Sequence, residues 1–345
     1  MSRLTLLLPG LPGDWPEPLQ PQELPQVEQL ARLMGQGNYL PADRMEANAD
    51  PYQRIAAYLG WPANQPLPTA RLRLLGEHIP LAGEGYWLCA DPVTLKAEID
   101  HALVFGAGFH QVTSEEAAAL IATLNAHFSE DGWVFHAPAN DRWYLQMPES
   151  PRALTTPLWY ALRRNAGPLL PKPANAQEGG FILRRALSEI EMLLYSHPVN
   201  ERRARQGQPQ INSLWLHGEG EKPLAPPRQE GLPSQVFTDD ALVRGLARWA
   251  GIPVSPLHAL AEQDGEWLLA VETASWLANL QGDIQRWSAA LSHVNQLLTQ
   301  RFRQYRSRLI EIDTLHSGSY VYLPWHRWRF WRRQWQFPRC GSQLL

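Results

Sequence analysis

The 345-residue sequence predicts an α/β fold with a mostly parallel sheet covered on both faces, on three observations. Short apolar runs of strand length alternate with amphipathic helical segments in both halves of the chain, the pattern of crossover-connected parallel strands. The chain opens on such a run, residues 4–8, followed at once by the loop Pro9-Gly10-Leu11-Pro12-Gly13-Asp14. The strongest helical pattern lies at 284–306, where Ile284, Trp287, Leu291, Val294, Leu298 and Phe302 keep a 3.6-residue period. No internal repeat is visible.

In order along the chain, residues 4–8 read as a buried strand that the glycine- and proline-bearing loop ends. Residues 26–34 form a helix with Val27, Leu30, Ala31, Leu33 and Met34 on one side. Asp50 caps a second helix that has Pro51 at its first position and ends near Gly60. Residues 86–89 and 102–105 are strands, and Ser114-Glu115-Glu116 opens a helix through Phe128 whose acidic first turn suits the helix dipole. Residues 133–135 and 143–145 fit a hairpin, and the proline-rich stretch 168–173 closes a helix-plus-hairpin unit at 106–175. A helix at 186–195 leads to strands at 214–216 and 235–238, separated by the surface loop Gly220 to Gly231. Asp239-Asp240 caps a helix ending near Gly251, residues 267–271 are a strand, and 309–313 is the strand expected to close the sheet.

Composition removes several function classes. Hydrophobic content of 44% with 19% charged residues is that of an ordinary globular protein, and a net charge of −3 gives no overall pull toward nucleic acid or anionic lipid. With only two cysteines, Cys89 and Cys340, neither a disulfide framework nor a cysteine-based zinc site is credible. The opening apolar run is shorter than a signal peptide's, and no stretch reaches bilayer length, so a cytoplasmic protein is expected. Fifteen tryptophans imply large contact areas in a core or an interface.

The chemistry-bearing stretch is 197–220: His197-Pro198-Val199-Asn200, Arg202-Arg203, then Ile211-Asn212-Ser213-Leu214-Trp215-Leu216-His217-Gly218-Glu219-Gly220. Arginine supplies a fork of donors and asparagine fixes orientation, a combination that suits a phosphate or carboxylate. The bland alternative has Asn200 and Asn212 making turn or cap hydrogen bonds, His197 packing before Pro198, and both arginines solvated. Gly218-Glu219-Gly220 lacks the Gly-Lys-Ser/Thr continuation of a phosphate loop.

These residues, with Gly207 and Pro209, resemble the substrate-binding signature of archaeal-type cofactor-independent phosphoglycerate mutase, a family of the alkaline phosphatase superfamily. The likeness covers some twenty positions closely and the order of elements over nearly the full length more loosely; residues 113–145, including Arg142, resemble the family's cap. It implies a three-layer alkaline phosphatase-like sheet formed by 1–105 and 176–345, a small α+β cap inserted at 106–175, and a Trp/Arg-rich tail at 324–345. The proteobacterial branch, often labelled regulatory protein, is the most similar.

Active members use two divalent metals and a phosphorylated serine, held by carboxylates and histidines. Those positions depart here. The Asp-Gly pair after the first strand is Pro9-Gly10, with Asp14 beyond it; Ala49, within Asn48-Ala49-Asp50, stands at the place of the serine. Leu88 and Ala90 flank Cys89 where the family has arginine and asparagine. The Asp-Glu-Ala-Gly-His motif has no match between Glu272 and Asp283, and Asp313 with His316 departs from the closing Asp-His spacing.

The reading is therefore a phosphoglycerate mutase-like pseudoenzyme without catalytic residues, metal ligands or cofactor. It would bind a small anionic ligand through His197, Asn200, Arg203 and Asn212 in a regulatory role. The competing reading is an active metal-dependent mutase or phosphatase with rearranged ligands, Asp14, Asp50, Asp313 and His316. A third keeps only the scaffold, its pocket filled by its own side chains. The tail 324–340 holds five arginines and Trp325, Trp328, Trp331 and Trp335, which as a helix would share one face with the arginines interleaved. It would dock on a protein partner or fold back on its own domain; neither nucleic acid nor a membrane is expected as partner.

Overall fold

The computed structural model describes residues 2–337 apart from 44–48, 64, 80–84, 175–180, 221–222, 224–229, 263–264, 306–307 and 334. Asn48, most of the loop from Gly220 to Gly231, and Cys340 lie outside the described residues. The chain divides into two compact units, one comprising Met1–Pro66, Arg73–His78 and Leu224–Leu345, the other Leu67–Leu72 and Ile79–Pro223. Strands in chain order are β1 (Arg3–Leu7), β2 (Asn38–Pro41), β3 (Tyr86–Ala97), β4 (Ala102–Phe105), β5 (Val134–Ala139), β6 (Arg142–Met147) and β7 (Ala153–Leu154). They continue with β8 (Lys172–Pro173), β9 (Ser213–His217), β10 (Gln235–Phe237), β11 (Val254–Ser255), β12 (Trp267–Val271), β13 (Leu309–Asp313) and β14 (Gly318–Tyr322).

The first unit is a mixed α/β body on a seven-stranded sheet of order β11-β10-β12-β1-β13-β14-β2. Strands β11, β10, β12, β1 and β13 run parallel; β14 and β2 are antiparallel additions. β1 is central because it is apolar on both faces: Leu4, Leu6 and Leu7 are buried, and Thr5 with them. One face packs Leu4, Leu6, Ala270, Ile310 and Ile312 against Trp287, Leu291, Val294 and Leu298 of the helix Ile284–Tyr305, the stripe that the period predicted. β13 does not close the sheet as expected. It has β1 on one side and β14 on the other, and the hairpin return Gly318–Tyr322 then pairs with the exposed Asn38–Pro41.

The described residues of the 324–340 segment, 324–333 and 335–337, do not form the continuous helix that would put the four tryptophans on one face. Pro324–Trp328 makes a short 3-10 turn with His326 buried, and the chain then leaves helical structure. Trp335 and Phe337 fold back on the core of this unit, Phe337 edge-on to Trp287 with ring centroids 5.5 Å apart, whereas Trp325, Trp328, Phe330 and Trp331 stay exposed.

The second unit is antiparallel, with β3 as its spine: order β4-β3-β6-β5, and β9 also paired with β3. Twelve residues long, β3 meets β6 along its first half, β9 across its middle and β4 at its end. The helices Ser114–His127 and Phe181–Tyr195 bury Leu120, Leu124, Leu183, Leu187 and Ile190 with Trp143, Phe135 and Leu214 in one cluster. The segment 106–175 expected as an inserted cap lies inside this larger unit. Residues 86–105 and 181–220, expected in the sheet of the main core, join it because β3 hydrogen-bonds to β4, β6 and β9 and to no strand of the seven-stranded sheet. Among the described residues no helix is long and apolar enough to cross a membrane.

Candidate functional site

Parallel α/β sheets place their ligand sites beyond the carboxyl ends of the strands. In the first unit register defines that edge: Leu7 lies opposite both Val271 and Asp313, and Phe237 opposite Ala270. The residues that emerge there are Pro9 and Gly10 after β1, Thr238 to Asp240 after β10, Glu272 and Thr273 after β12, and Asp313 at the end of β13. Four carboxylates, those of Asp239, Asp240, Glu272 and Asp313, therefore gather at one edge, and each accepts from a protein donor, the exposed Asp239 from the Leu257 amide at 3.3 Å.

The Asp313 carboxylate is buried and accepts from the Tyr58 hydroxyl at 2.8 Å, the Arg54 guanidinium at 3.3 Å and the Leu315 amide at 2.8 Å. Burial, then the negative charge of Asp313, holds the Tyr58 phenol well above its ordinary range, so it stays a donor. Asp240 uses one oxygen to cap the helix Ala241–Trp249 through Leu242 and Val243, at 2.8 and 3.0 Å. Its other oxygen accepts from the Tyr52 hydroxyl at 2.7 Å and the Thr273 hydroxyl at 2.6 Å. Burial and Asp240 likewise push the Tyr52 phenol up. Glu272 takes the Ser275 amide at 2.9 Å and the Ser275 hydroxyl at 2.5 Å; burial drives its carboxyl upward, toward the neutral form.

The rearranged ligand set does not assemble. Asp50 caps its own helix, Pro51–Tyr58, through Tyr52 and Gln53 at 2.7 and 3.3 Å, and Asp313 is engaged as above. Among the described residues, the one group of histidine, cysteine and acidic side chains with donor atoms close enough to share an ion is Cys89, Asp91 and His217, in the second unit. Neither Asp14 nor His316 belongs to such a group. Ala49, preceding Asp50, has no hydroxyl to offer.

The four residues expected to grip an anion lie in the second unit, and each is engaged internally. His197 caps the helix Pro198–Arg205, its Nδ1 accepting from the Val199 amide at 3.2 Å, while Nε2 meets the Thr123 hydroxyl at 3.0 Å. The fully buried Asn200 donates to the Leu194 and Ile211 carbonyls at 2.8 and 2.7 Å and accepts from the Ile211 amide at 2.9 Å, bridging the helix to the approach of β9. Asn212 brackets Leu95, accepting from its amide at 2.7 Å and donating to its carbonyl at 2.9 Å. Arg203 is buried, not solvated as the bland alternative had it. It donates to Glu116 at 2.6 Å, to the Pro209 carbonyl at 2.8 Å and to the His110 carbonyl.

Electrostatics around Arg203 follow from that burial. Desolvation pushes the Glu116 carboxyl up, but the Thr113 amide and Arg203 more than offset it and leave it below its ordinary value. His110, buried beside the guanidinium, is lowered to about 4 by desolvation and then by Arg203. Sequence reasoning missed Tyr52, Arg54, Tyr58 and Glu272, whose roles depend on partners brought in by the fold. It placed His217 in the chemistry-bearing stretch but missed Asp91, its hydrogen-bond partner. The only local signal for the latter was the two-residue step from Cys89 to Asp91, which puts both on one face of a strand.

No family model matches the chain. In sequence, 183 residues are 27% identical to the 2,3-bisphosphoglycerate-independent phosphoglycerate mutase of Methanosarcina barkeri, covering 50% of this chain and 44% of that protein. The mutase of Methanosarcina mazei is 26% identical over 184 residues, 51% of this chain and 45% of its own. The chain thus spans about half the length of the relatives it matches. Among solved structures, the PH0037 protein of Pyrococcus horikoshii matches with a TM-score of 0.51 at 15% identity, over 93% of this chain and 84% of that one. The chain has the mixed α/β fold of PH0037 and, over half its length, a low-identity sequence relationship to cofactor-independent phosphoglycerate mutases.

Proposed function

We propose that this protein is a phosphoglycerate mutase-like pseudoenzyme of regulatory type, which performs no phosphoryl transfer and acts by binding. The observation that carries the reading is the state of Asp240, Glu272 and Asp313 at the carboxyl edge of the parallel sheet. A two-metal phosphotransfer site needs ionised carboxylates facing open coordination positions. Here the Arg54 guanidinium supplies Asp313 with the positive charge a metal would bring, Tyr52 and Thr273 occupy Asp240, and Ser275 closes over Glu272. Ala49 removes the nucleophile as well.

Of the two roles the sequence offers the His197 stretch, anion grip and internal capping, the hydrogen bonds favour the second. Arg203 would have to release Glu116 before it could take a ligand's phosphate. On this reading the partner is a protein, met by the exposed rings of Trp325, Trp328, Phe330 and Trp331, at 58%, 63%, 82% and 69% exposure. Arg329 and Arg332 anchor the segment to the Gln36 and Gly37 carbonyls, so the rings are presented on a fixed base.

The purified protein, supplied with manganese and 3-phosphoglycerate, is expected to form no 2-phosphoglycerate above the protein-free control. Metal-dependent interconversion would overturn the reading. For the docking segment, Trp328→Ala with Trp331→Ala is expected to remove co-purifying protein while leaving the thermal midpoint in place; an unchanged co-purification pattern would exclude it.

A further inference from the structure

Outside the sheet edge, one cluster in the second unit has no part in the proposed function. Cys89 and Asp91 lie two residues apart on β3, and His217 ends β9, directly across the ladder from Cys89. One donor atom from each, a thiol sulfur, a carboxylate oxygen and a ring nitrogen, lies within 4.8 Å of the others. All three are buried, with 0%, 3% and 0% exposure. The surroundings are close-fitting. The Trp159 ring stands edge-on to His217, with centroids 5.9 Å apart, and a Cβ at Gly218, whose φ is +76°, would come within 3.4 Å of the Cys89 sulfur.

Asp91 orients the ring. One carboxylate oxygen meets His217 Nε2 at 2.9 Å and the other accepts from the Trp143 amide at 3.3 Å. Nε2 and the oxygen it meets face each other at a separation close to that of two ligands on one ion, so a metal would take the place of the proton between them. The imidazole proton then resides on Nδ1, which has no hydrogen-bond partner among the described residues. A thiol, an imidazole and a carboxylate are also the donor types that borderline-soft divalent ions select.

We propose that Cys89, Asp91 and His217 bind one divalent metal ion, with Zn2+ as the natural choice, through the Cys89 thiolate, one Asp91 carboxylate oxygen and His217 Nε2. Binding converts the thiol to thiolate and releases its proton to solvent. The composition argument against a cysteine-based zinc site counted cysteines, whereas one cysteine with a histidine and a carboxylate would supply a three-ligand site. Nothing in this proposal depends on the sheet edge of the first unit.

The test uses the full chain without a histidine tag, stripped with chelator and then given Zn2+ or Co2+. The expected results are one retained metal per chain, a thiolate-to-cobalt charge-transfer band, and a higher unfolding temperature with Zn2+ in excess. Cys89→Ser is expected to abolish the band and weaken zinc retention by more than about tenfold. Should the variant not fold, X-ray absorption on the zinc-loaded wild-type chain is expected to show one sulfur ligand with nitrogen and oxygen. No uptake above the buffer control, cobalt bound without the band, or a zinc spectrum without sulfur would each overturn the proposal.

Discussion

At the scale of single residues, Arg203 holds a buried ion pair in the second unit. Its ion pair with Glu116 has side chains only 3% and 9% exposed, and its other donors reach the Pro209 and His110 carbonyls. Removing one partner of a buried pair strands the other charge, so Arg203→Ala is expected to cost about 3–5 kcal/mol. Arg205, only two residues on, pairs with Glu201 at 77% and 56% exposure, and Arg205→Ala should cost less than about 1 kcal/mol. Urea unfolding of both variants checks the contrast, and equal midpoints would contradict the clamp. His110 adds a pH dependence with a defined sign. The unfolded imidazole takes up its proton near 6.5 and the folded one near 4. Between those values the unfolded state binds more protons, so stability is lost as pH falls through the window, by up to about 3 kcal/mol, and the loss stops below it. The slope of stability between pH 7 and 5 should flatten in His110→Gln.

At the scale of elements, the loop after β1 shows how closely the sheet edge is filled. A Cβ on Gly10 would lie 2.2 Å from the Ser275 hydroxyl and 2.5 Å from the Trp276 amide nitrogen, at the start of the helix Ala274–Gln281, and the Gly10 carbonyl accepts from the Trp287 indole at 2.9 Å. Backbone cannot swing aside as a flexible side chain can, so Gly10→Ala is expected to destabilise by about 1–3 kcal/mol. Gly167→Ala, whose added Cβ meets only the Asn165 side chain at 3.5 Å, should be nearly neutral in the same denaturation assay. Equal effects would remove the argument from close approach. Elements like this helix cap divide cleanly by legibility. Asp50, Thr113 and Asp240 cap their helices within three residues, and such local chemistry is written in the sequence. Strands β2 and β14 were not legible, because Asn38–Pro41 is exposed throughout and Gly318–Tyr322 only half-buried, so neither carries an apolar alternation. The candidate site was legible only as residue types: Asn200 and Arg203 stood out as polar groups beside a buried strand. Whether they face a ligand or cap their own fold depends on Ile211, Glu116 and His110, which tertiary structure supplies.

At the scale of the whole molecule, the two units have separate hydrophobic cores, one built on β1 and the helix Ile284–Tyr305, the other on β3, β6 and the helices Ser114–His127 and Phe181–Tyr195. Each core can unfold as its own cooperative body. Acid should separate them. The second unit holds His110 near 4, with His136 and His197 also lowered by burial; the first holds His326, lowered by burial and by Arg329 and Arg332. In each of these the unfolded imidazole gains its proton first, so each loses stability as pH falls below the ordinary histidine value. The most strongly lowered histidine and the larger number of such groups are in the second unit. Hydrogen exchange read by mass spectrometry is therefore expected to show peptides from 86–220 losing protection before those from 2–43 and 235–320 as pH drops from 7 to 5. Calorimetry over the same range should show a transition that moves to lower temperature faster than its companion. A single transition at every pH, with both sets of peptides exchanging together, would mean that the cores unfold as one body and that acid sensitivity is not set by the Arg203 neighbourhood.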